Sequence, residues 1–106
     1  MTPEEFRRIA LSFPEAVESQ HMNHPDFRVG NKIFATLGYP NEEWAMVNLT
    51  HEQQHNYVQA ESETFAPVKG GWGRRGSTNV RLKAAKKAIT RRALAEAWRN
   101  RAPKGL

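Results

Sequence analysis

The sequence predicts an α+β fold in which the strands of the sheet pair antiparallel. Helical periodicity occurs near both ends and once in the middle, and the strands between them arrive in hairpin-like runs rather than alternating with helices. The chain has 106 residues, of which 39% are hydrophobic. A chain of this length buries roughly two-thirds of its unfolded surface, so residues 1–106 are expected to form one domain. There is no cysteine, which excludes disulfides, thiol catalysis and cysteine-based zinc sites.

The first predicted helix begins with a capping box. The Thr2 hydroxyl can accept from the amide of Glu5, the Glu5 side chain can reach back, and Pro3 lies where its missing N–H costs nothing. Pro14 ends the helix. Its apolar residues recur at helical spacing and are expected to face the core: Phe6, Ile9, Ala10 and Phe13.

A β-hairpin comes next, because residues 27–29 alternate, Gly30-Asn31 suits a two-residue turn, and residues 32–37 return. Residues 38–43 form a loop, and residues 44–49 form the next strand. This part of the chain therefore supplies three neighbouring strands of the predicted sheet.

Thr50 opens a second helix with Gln53 as its capping partner, and the helix runs to about Ala60. Residues 65–68 predict an edge strand, because Pro67 cannot donate a hydrogen bond to a neighbouring strand.

The glycine-rich residues 70–76 predict an exposed basic connection, and residues 78–82 alternate as a strand. The last helix runs from near Lys86 to about Arg101, before Pro103. Five residues form its inner stripe: Ile89, Ala93, Leu94, Ala97 and Trp98.

Residues 24–35 (HPDFRVGNKIFA), together with Gly71-Trp72-Gly73 and residues 97–104 (AWRNRAPK), resemble the MmcQ/YjbR family over nearly the whole chain. The resemblance implies a fold similar to the frataxin/CyaY-like arrangement, with helices packed on one face of an antiparallel sheet. It also implies a DNA-binding protein with a "double-wing" motif, which is an association by fold and shape. It supplies no catalytic residues and no cofactor.

Charge is divided unequally along the chain. Residues 1–68 contain ten acidic side chains and four Lys/Arg, whereas residues 69–106 contain twelve Lys/Arg and one acid, Glu96. A one-sided basic region is typical of proteins that bind a partner rich in phosphate or carboxylate. The charged start and the lack of a long apolar run predict a cytoplasmic protein with no signal peptide and no membrane partner.

The predicted contacts with double-stranded DNA come from the basic half. Arg74 and Arg75 would lie on an exposed wing, while Arg81 and Lys83 would share one face of a strand. Guanidinium groups suit phosphate because they donate two parallel hydrogen bonds. The predicted site comprises Trp72, Arg74, Arg75, Arg81, Lys83, Arg91 and Arg92. The alternative is that these charges only solvate the surface, pair internally, as Arg92 could with Glu96, or complement the dipole of the last helix.

Residues 51–55 (HEQQH) match the zinc-protease motif, in which two histidines four apart on a helix bind the metal. His51 directly follows the cap, Gln53 and Gln54 replace apolar residues, and no third ligand is evident. The match is therefore interpreted as coincidental, and no metal site is predicted. The acidic ridge associated with iron in frataxin-like proteins is also absent, because Glu4 and Glu5 are assigned to capping.

Two residue types have local structural roles in this interpretation. His21 and His24 flank the turn into the hairpin, where a histidine such as His24 would hydrogen-bond the loop backbone. Trp72 would either stack on a base or support the wing; the alternative is that it packs back onto the sheet from a tight turn, since its glycines lack a phosphate-loop pattern. The predicted function is non-enzymatic, weakly sequence-specific DNA binding. The alternative is a protein-interaction or small anionic-ligand module, which a pocket near Trp72 and His24 would favour.

Overall fold

Six strands form one antiparallel sheet in the order β1-β2-β3-β4-β6-β5 in a computed structural model that describes all 106 residues. In chain order the elements are α1 (Pro3–Leu11), β1 (Val17–His21), β2 (His24–Val29), β3 (Lys32–Leu37), β4 (Trp44–Asn48), α2 (His51–Ala60), β5 (Phe65–Pro67), α3 (Gly71–Arg74), β6 (Ser77–Arg81) and α4 (Lys87–Arg101). A 3-10 turn, Leu82–Ala84, connects β6 to α4.

One face of the sheet carries the core. Cross-strand pairing places Phe27, Ala35, Val47 and Thr78 in one row, and all four are fully buried. The neighbouring row is also buried and consists of Leu37, Ala45, Val80 and Phe65. Because successive side chains of a strand point to opposite faces, these rows define the side on which the helices pack.

The three long helices cover this face. The inner stripe of α4 is buried against β3 and β4 at Ala93, Leu94 and Ala97, and α1 packs beside it through Phe6. Helix α2 covers β5 and β6, where the rings of Tyr57 and Phe65 lie 5.1 Å apart. The prediction of an α+β fold with helices on one side of an antiparallel sheet is confirmed.

The other face of the sheet carries no helix. Thr36, Met46 and Asn79 pair in a row that lies between the two core rows along the strands, so they point to this face. At one end of the sheet, Trp44 pairs with Arg81 and also points to this face. Trp44, Met46 and Asn79 are partly exposed and Arg81 is exposed. We call this surface the helix-free face.

Both predicted capping boxes are present, because Thr2 with Glu5 and Thr50 with Gln53 each exchange two hydrogen bonds. The predicted Gly30-Asn31 turn has positive φ at both residues, 57° and 65°. The predicted helix 51–60 is confirmed, and the strands after it lie within one residue of their predicted bounds. Helix α1 ends at Leu11, earlier than Pro14.

The sequence interpretation did not identify β1, an edge strand whose five residues are all exposed. A turn with positive φ at Met22 and Asn23 joins it to β2, so His21 and His24 lie in strands and pair with each other. Glu4 does not cap α1 but forms an ion pair with Arg7. No helix combines the length and hydropathy required to cross a membrane.

Candidate nucleic-acid interface

The basic connection 70–76 was predicted as an exposed wing, and Arg74 and Arg75 are exposed, but the connection contains a short helix that was not predicted. Residues Gly71–Arg74 form a short helix whose conformation depends on close packing at Gly73. A Cβ atom at Gly73 would lie 1.5 Å from the carbonyl oxygen of Val68, so only glycine fits there. The packing fixes the backbone that carries Arg74 and Arg75 relative to the sheet.

Trp72 is on the outer side of α3 and is 68% exposed, which contradicts the alternative that it packs back onto the sheet. The Arg75 guanidinium lies over its ring, 5.5 Å from the ring centroid. The close backbone contact of α3 at Gly73 already fills the space towards the sheet, so the indole is left outside. Trp72 and Arg75 thus form one exposed aromatic and cationic unit.

Helix α2 is hydrogen-bonded to both α3 and α4. The buried Gln54 side chain donates to the carbonyl oxygens of Gly73 and Ser77, both at 2.9 Å. On the adjacent face of α2, Gln53 accepts from Asn100 at 2.8 Å, and the Tyr57 hydroxyl donates to Glu96. These contacts make α2 and α4 antiparallel, so the start of α2 lies between α3 and the end of α4.

Helix α4 carries three exposed arginines, with Arg92 and Arg99 on its outer face and Arg91 on the flank beside Glu5 and Arg8 of α1. Together with Arg74, the last residue of α3, and Arg75, which follows it, they form a set on the helix-covered side that we call the helix-side basic surface. Arg92 does not pair with Glu96, whose carboxylate instead accepts from Tyr57 and Gln53. Burial and the Glu96 carboxylate raise the pKa of Tyr57 above its ordinary value.

Arg81 and Lys83 are not part of this surface, and the prediction that they share one face of a strand is wrong. Strand β6 ends at Arg81, and Lys83 lies in the 3-10 turn. Arg81 is directly opposite Trp44, so its side chain projects from the helix-free face. Arg81 and Trp44 line a cleft of about 340 Å³. Trp44 was missed, because its position opposite Arg81 depends on strand register that local sequence does not reveal.

Ion pairing separates the basic residues into two classes. Of the twelve Lys/Arg in residues 69–106, only Lys86 and Lys87 pair with acids, to Glu61 at 3.6 Å and Glu5 at 3.8 Å. The other ten have no acidic partner within ion-pair distance, including every arginine of the helix-side basic surface. The anticipated internal pairing between the acidic and basic halves is therefore limited to two lysines.

A different network lies on the helix-free face near the edge of the sheet. Asp26 is fully buried and accepts from Arg28 at 2.8 and 3.0 Å, while His21 Nδ1 lies 2.8 Å from the same carboxylate. The Arg28 and His21 contacts hold the pKa of Asp26 below its ordinary value. No hydroxyl group hydrogen-bonds to the remaining nitrogen of His21, so the network contains no positioned nucleophile.

The two histidines of the H-E-x-x-H run are exposed on the first turns of α2. The inward residue of the run is Gln54, whose amide donates to the backbone of α3. No cluster of three or more potential metal-ligating side chains occurs in the chain. Gln54 therefore gives this run a structural role.

The anticipated pocket between Trp72 and His24 does not exist. His24 begins β2 at the same end of the sheet as Arg81, whereas α3 lies beyond the opposite end of β6. The His24 ring contacts Tyr39 edge-on, with ring centroids 5.5 Å apart, and it makes no hydrogen bond to the loop backbone.

Comparison with known proteins agrees with this architecture. The crystal structure of Deinococcus radiodurans protein DR2400, which contains a DUF419 domain, superposes with a TM-score of 0.79 at 16% sequence identity. The similarity covers 99% of this chain and 81% of that chain, and at this identity it establishes the fold alone. No curated protein matches the sequence. The YjbR family model matches residues 11–100, which span β1 to β6 and almost all of α4. The chain belongs to the YjbR family.

Proposed function

We propose that this protein binds double-stranded DNA without catalysing a reaction, and that the helix-side basic surface contacts the phosphates. The observation that carries the proposal is the set of exposed arginines on α3 and α4 that have no acidic partner. Each is free to neutralise a phosphate and release a condensed counterion. The family's association with DNA binding supports the same conclusion by analogy.

The arrangement favours contact with the DNA backbone over reading of sequence. Arg74 and Arg75 lie near the start of α2, which is also hydrogen-bonded to α4, the helix that carries the other exposed arginines. Their guanidinium groups can each donate two hydrogen bonds to one phosphate. Phosphate contacts position a protein on a duplex but carry no sequence information, so binding should be weakly sequence-specific.

Trp72 adds an aromatic contact beside these arginines. Because its ring is exposed and already covered on one side by Arg75, it supports the position of that arginine at the interface. Arg81 and Lys83 lie at the other end of β6 and are not required for this contact.

The direct experiment is fluorescence anisotropy of a labelled DNA duplex titrated with the protein at low and moderate salt. With four phosphate contacts, the log–log slope of affinity against salt should be about −4. Affinity should then fall about a hundredfold between roughly 50 and 200 mM salt.

The double variant Arg74→Ala/Arg75→Ala should weaken binding to unrelated duplexes equally and reduce the salt slope by about 2. Lys86→Ala/Lys87→Ala is the matched control, since it removes the same charge from residues that are already paired. If both double variants lost the same duplex affinity, net charge alone would explain the loss, and the proposed surface would be overturned.

Absence of duplex binding at the lower salt would reject the proposal. The basic surface would then be assigned to an acidic protein partner, which is the alternative function. The small-ligand version has no pocket between Trp72 and His24 to support it, since these residues lie at opposite ends of the sheet.

A further inference from the structure

A cleft lies away from the helix-side basic surface. It has a volume of about 340 Å³ and opens where the helix-free face meets the turn that precedes β5. This volume is within the range of about 300–1,000 Å³ typical of small-molecule sites. Its walls are formed by Trp44, Arg81, the residues from Ser62 to Ala66, and Ala84.

Two of these side chains define one wall. Trp44 and Arg81 are directly opposite each other in the β4–β6 pair, so they project side by side from the same face. Trp44 is half-buried, and the Arg81 guanidinium is exposed, makes no hydrogen bond within the chain and does not stack on the indole. The cleft therefore offers an aromatic surface and an unpaired cation in adjacent positions.

The turn supplies the remaining polar groups. Thr64 is fixed, because its hydroxyl donates to the carbonyl of Ala84 at 3.1 Å and its own carbonyl accepts from the Arg81 amide at 2.7 Å. Glu63 is exposed and has no ion-pair partner. Its carboxylate can only accept hydrogen bonds when ionised, and it does not neutralise Arg81 within the chain.

We propose that this cleft binds a nucleotide, with the base stacked on Trp44 and the phosphate held by Arg81. A flat ring suits the indole because every base has a π face, and a phosphate suits the planar guanidinium fork. Glu63 accepts from N–H donors on the base, which favours guanine because it presents two adjacent donors. The site goes beyond the proposed DNA surface and does not rest on it, since the two lie on opposite sides of the sheet.

The test is isothermal titration calorimetry of the full chain with GMP, guanosine and inorganic phosphate as separate probes. GMP should bind at least about tenfold more tightly than either guanosine or phosphate, because each lacks one of the two contacts. AMP, whose purine lacks the two adjacent donors of guanine, should bind more weakly than GMP, and Glu63→Gln should reduce that difference.

Variants of Arg81 and Trp44 test which part of the nucleotide each side chain contacts. Arg81→Ala should lower GMP affinity about tenfold or more and leave guanosine unchanged, while Arg81→Lys keeps the charge and recovers only part of the affinity. Trp44→Leu should lower affinity for both GMP and guanosine about tenfold, and Trp44→Phe should retain most of it. Arg8→Ala removes an exposed arginine of α1 that lies outside both the cleft and the helix-side basic surface, and it should change nothing. Circular dichroism establishes that each variant is folded.

The proposal is overturned if GMP shows no saturable binding at about 1 mM, if it binds no better than phosphate, or if Arg81→Ala binds it normally. A four-nucleotide single strand identifies the source of the nucleotide. Tighter binding of the strand than of GMP, lost in Arg81→Ala, supports a nucleotide within a strand, and equal binding supports a free nucleotide. Duplex binding through Arg74 and Arg75 can fail or succeed independently of these results.

Discussion

The first 68 residues and the last 38 use their charged groups differently. In the first part, Arg7 bonds Glu4 and Glu18, Arg28 bonds Asp26, and both capping boxes satisfy helix ends. In the second part, ten of the twelve basic residues have no acidic partner, and α4 begins without a side-chain cap. The comparison teaches that the paired charges of the first part hold strands and helix ends together, whereas most charges of the second part have no partner within the chain.

The largest expected effect is on the buried carboxylate of the first part. Asp26→Asn should lower the free energy of unfolding by about 2 kcal/mol at neutral pH, because Arg28 and His21 would then face a neutral amide instead of a carboxylate. The folded-state pKa of Asp26 is lowered, so its contribution is complete above the unfolded pKa of about 4 and is lost as pH falls below it.

Urea unfolding of both proteins between pH 3 and 7 measures this difference. Glu18→Gln makes the same chemical change at a partly exposed pair and should cost no more than about 1 kcal/mol. An Asp26→Asn variant as stable as the unmodified chain at pH 7 would contradict a structural role for charge in the first part.

The next effect concerns the helix ends. Thr50→Ala removes a capping box and should cost about 1 kcal/mol. At the uncapped start of α4, Lys86→Ser should be more stable than Lys86→Ala by about 0.5–1 kcal/mol, because both remove the charge but only serine caps. Thermal unfolding compares the three variants, and equal stability of the two Lys86 variants would show that α4 needs no cap.

The single acid of the second part provides a smaller test, since Glu96 is bound by Tyr57 of the first part. Tyr57→Phe should lower stability by about 1 kcal/mol at pH 7. The raised pKa of Tyr57 means that its contribution is present below the unfolded pKa of about 10 and declines at higher pH. Urea midpoints at pH 7 and 10.5 measure this, and a constant difference would be inconsistent with it.

The smallest expected effect is on two unpaired arginines of the second part. Arg74→Ala with Arg91→Ala should change the free energy of unfolding by less than about 0.5 kcal/mol, because both side chains are exposed and unpaired. The same variant should bind duplex DNA more weakly. Arg7→Ala is the contrasting control, since Arg7 joins two acids of the first part. Destabilisation by more than about 1 kcal/mol in the double variant would remove the distinction between the two parts.

Local signals in the sequence were sufficient for most of the fold. The capping boxes at Thr2 and Thr50 and the turn at Gly30-Asn31 are chemical signatures read from adjacent residues, and all three are present. Strand β1 could not be predicted, because an edge strand exposed on both faces has no hydrophobic alternation. Helix α3 could not be predicted either, since two of its four residues are glycine and its stability comes from contacts with Val68 and Gln54.

The candidate site could likewise be predicted only where local periodicity determines it. Exposure of Arg91 and Arg92 followed from the periodicity of α4. The separation of Arg81 from Arg74 and Arg75 depends on the length and direction of β6, and the proximity of Arg81 to Trp44 depends on pairing between β4 and β6. Sequence composition identified a basic region, and tertiary structure divided it into two surfaces.

The three tryptophans give the protein a set of intrinsic optical reporters. Trp98 is 8% exposed and stacks on Phe13, so its emission should shift to longer wavelength only when the core opens. Trp72 is on the helix side and Trp44 is in the cleft on the opposite side. Variants that retain one tryptophan each would therefore report unfolding, the proposed duplex contact and the proposed cleft occupation as separate emission signals from the same polypeptide.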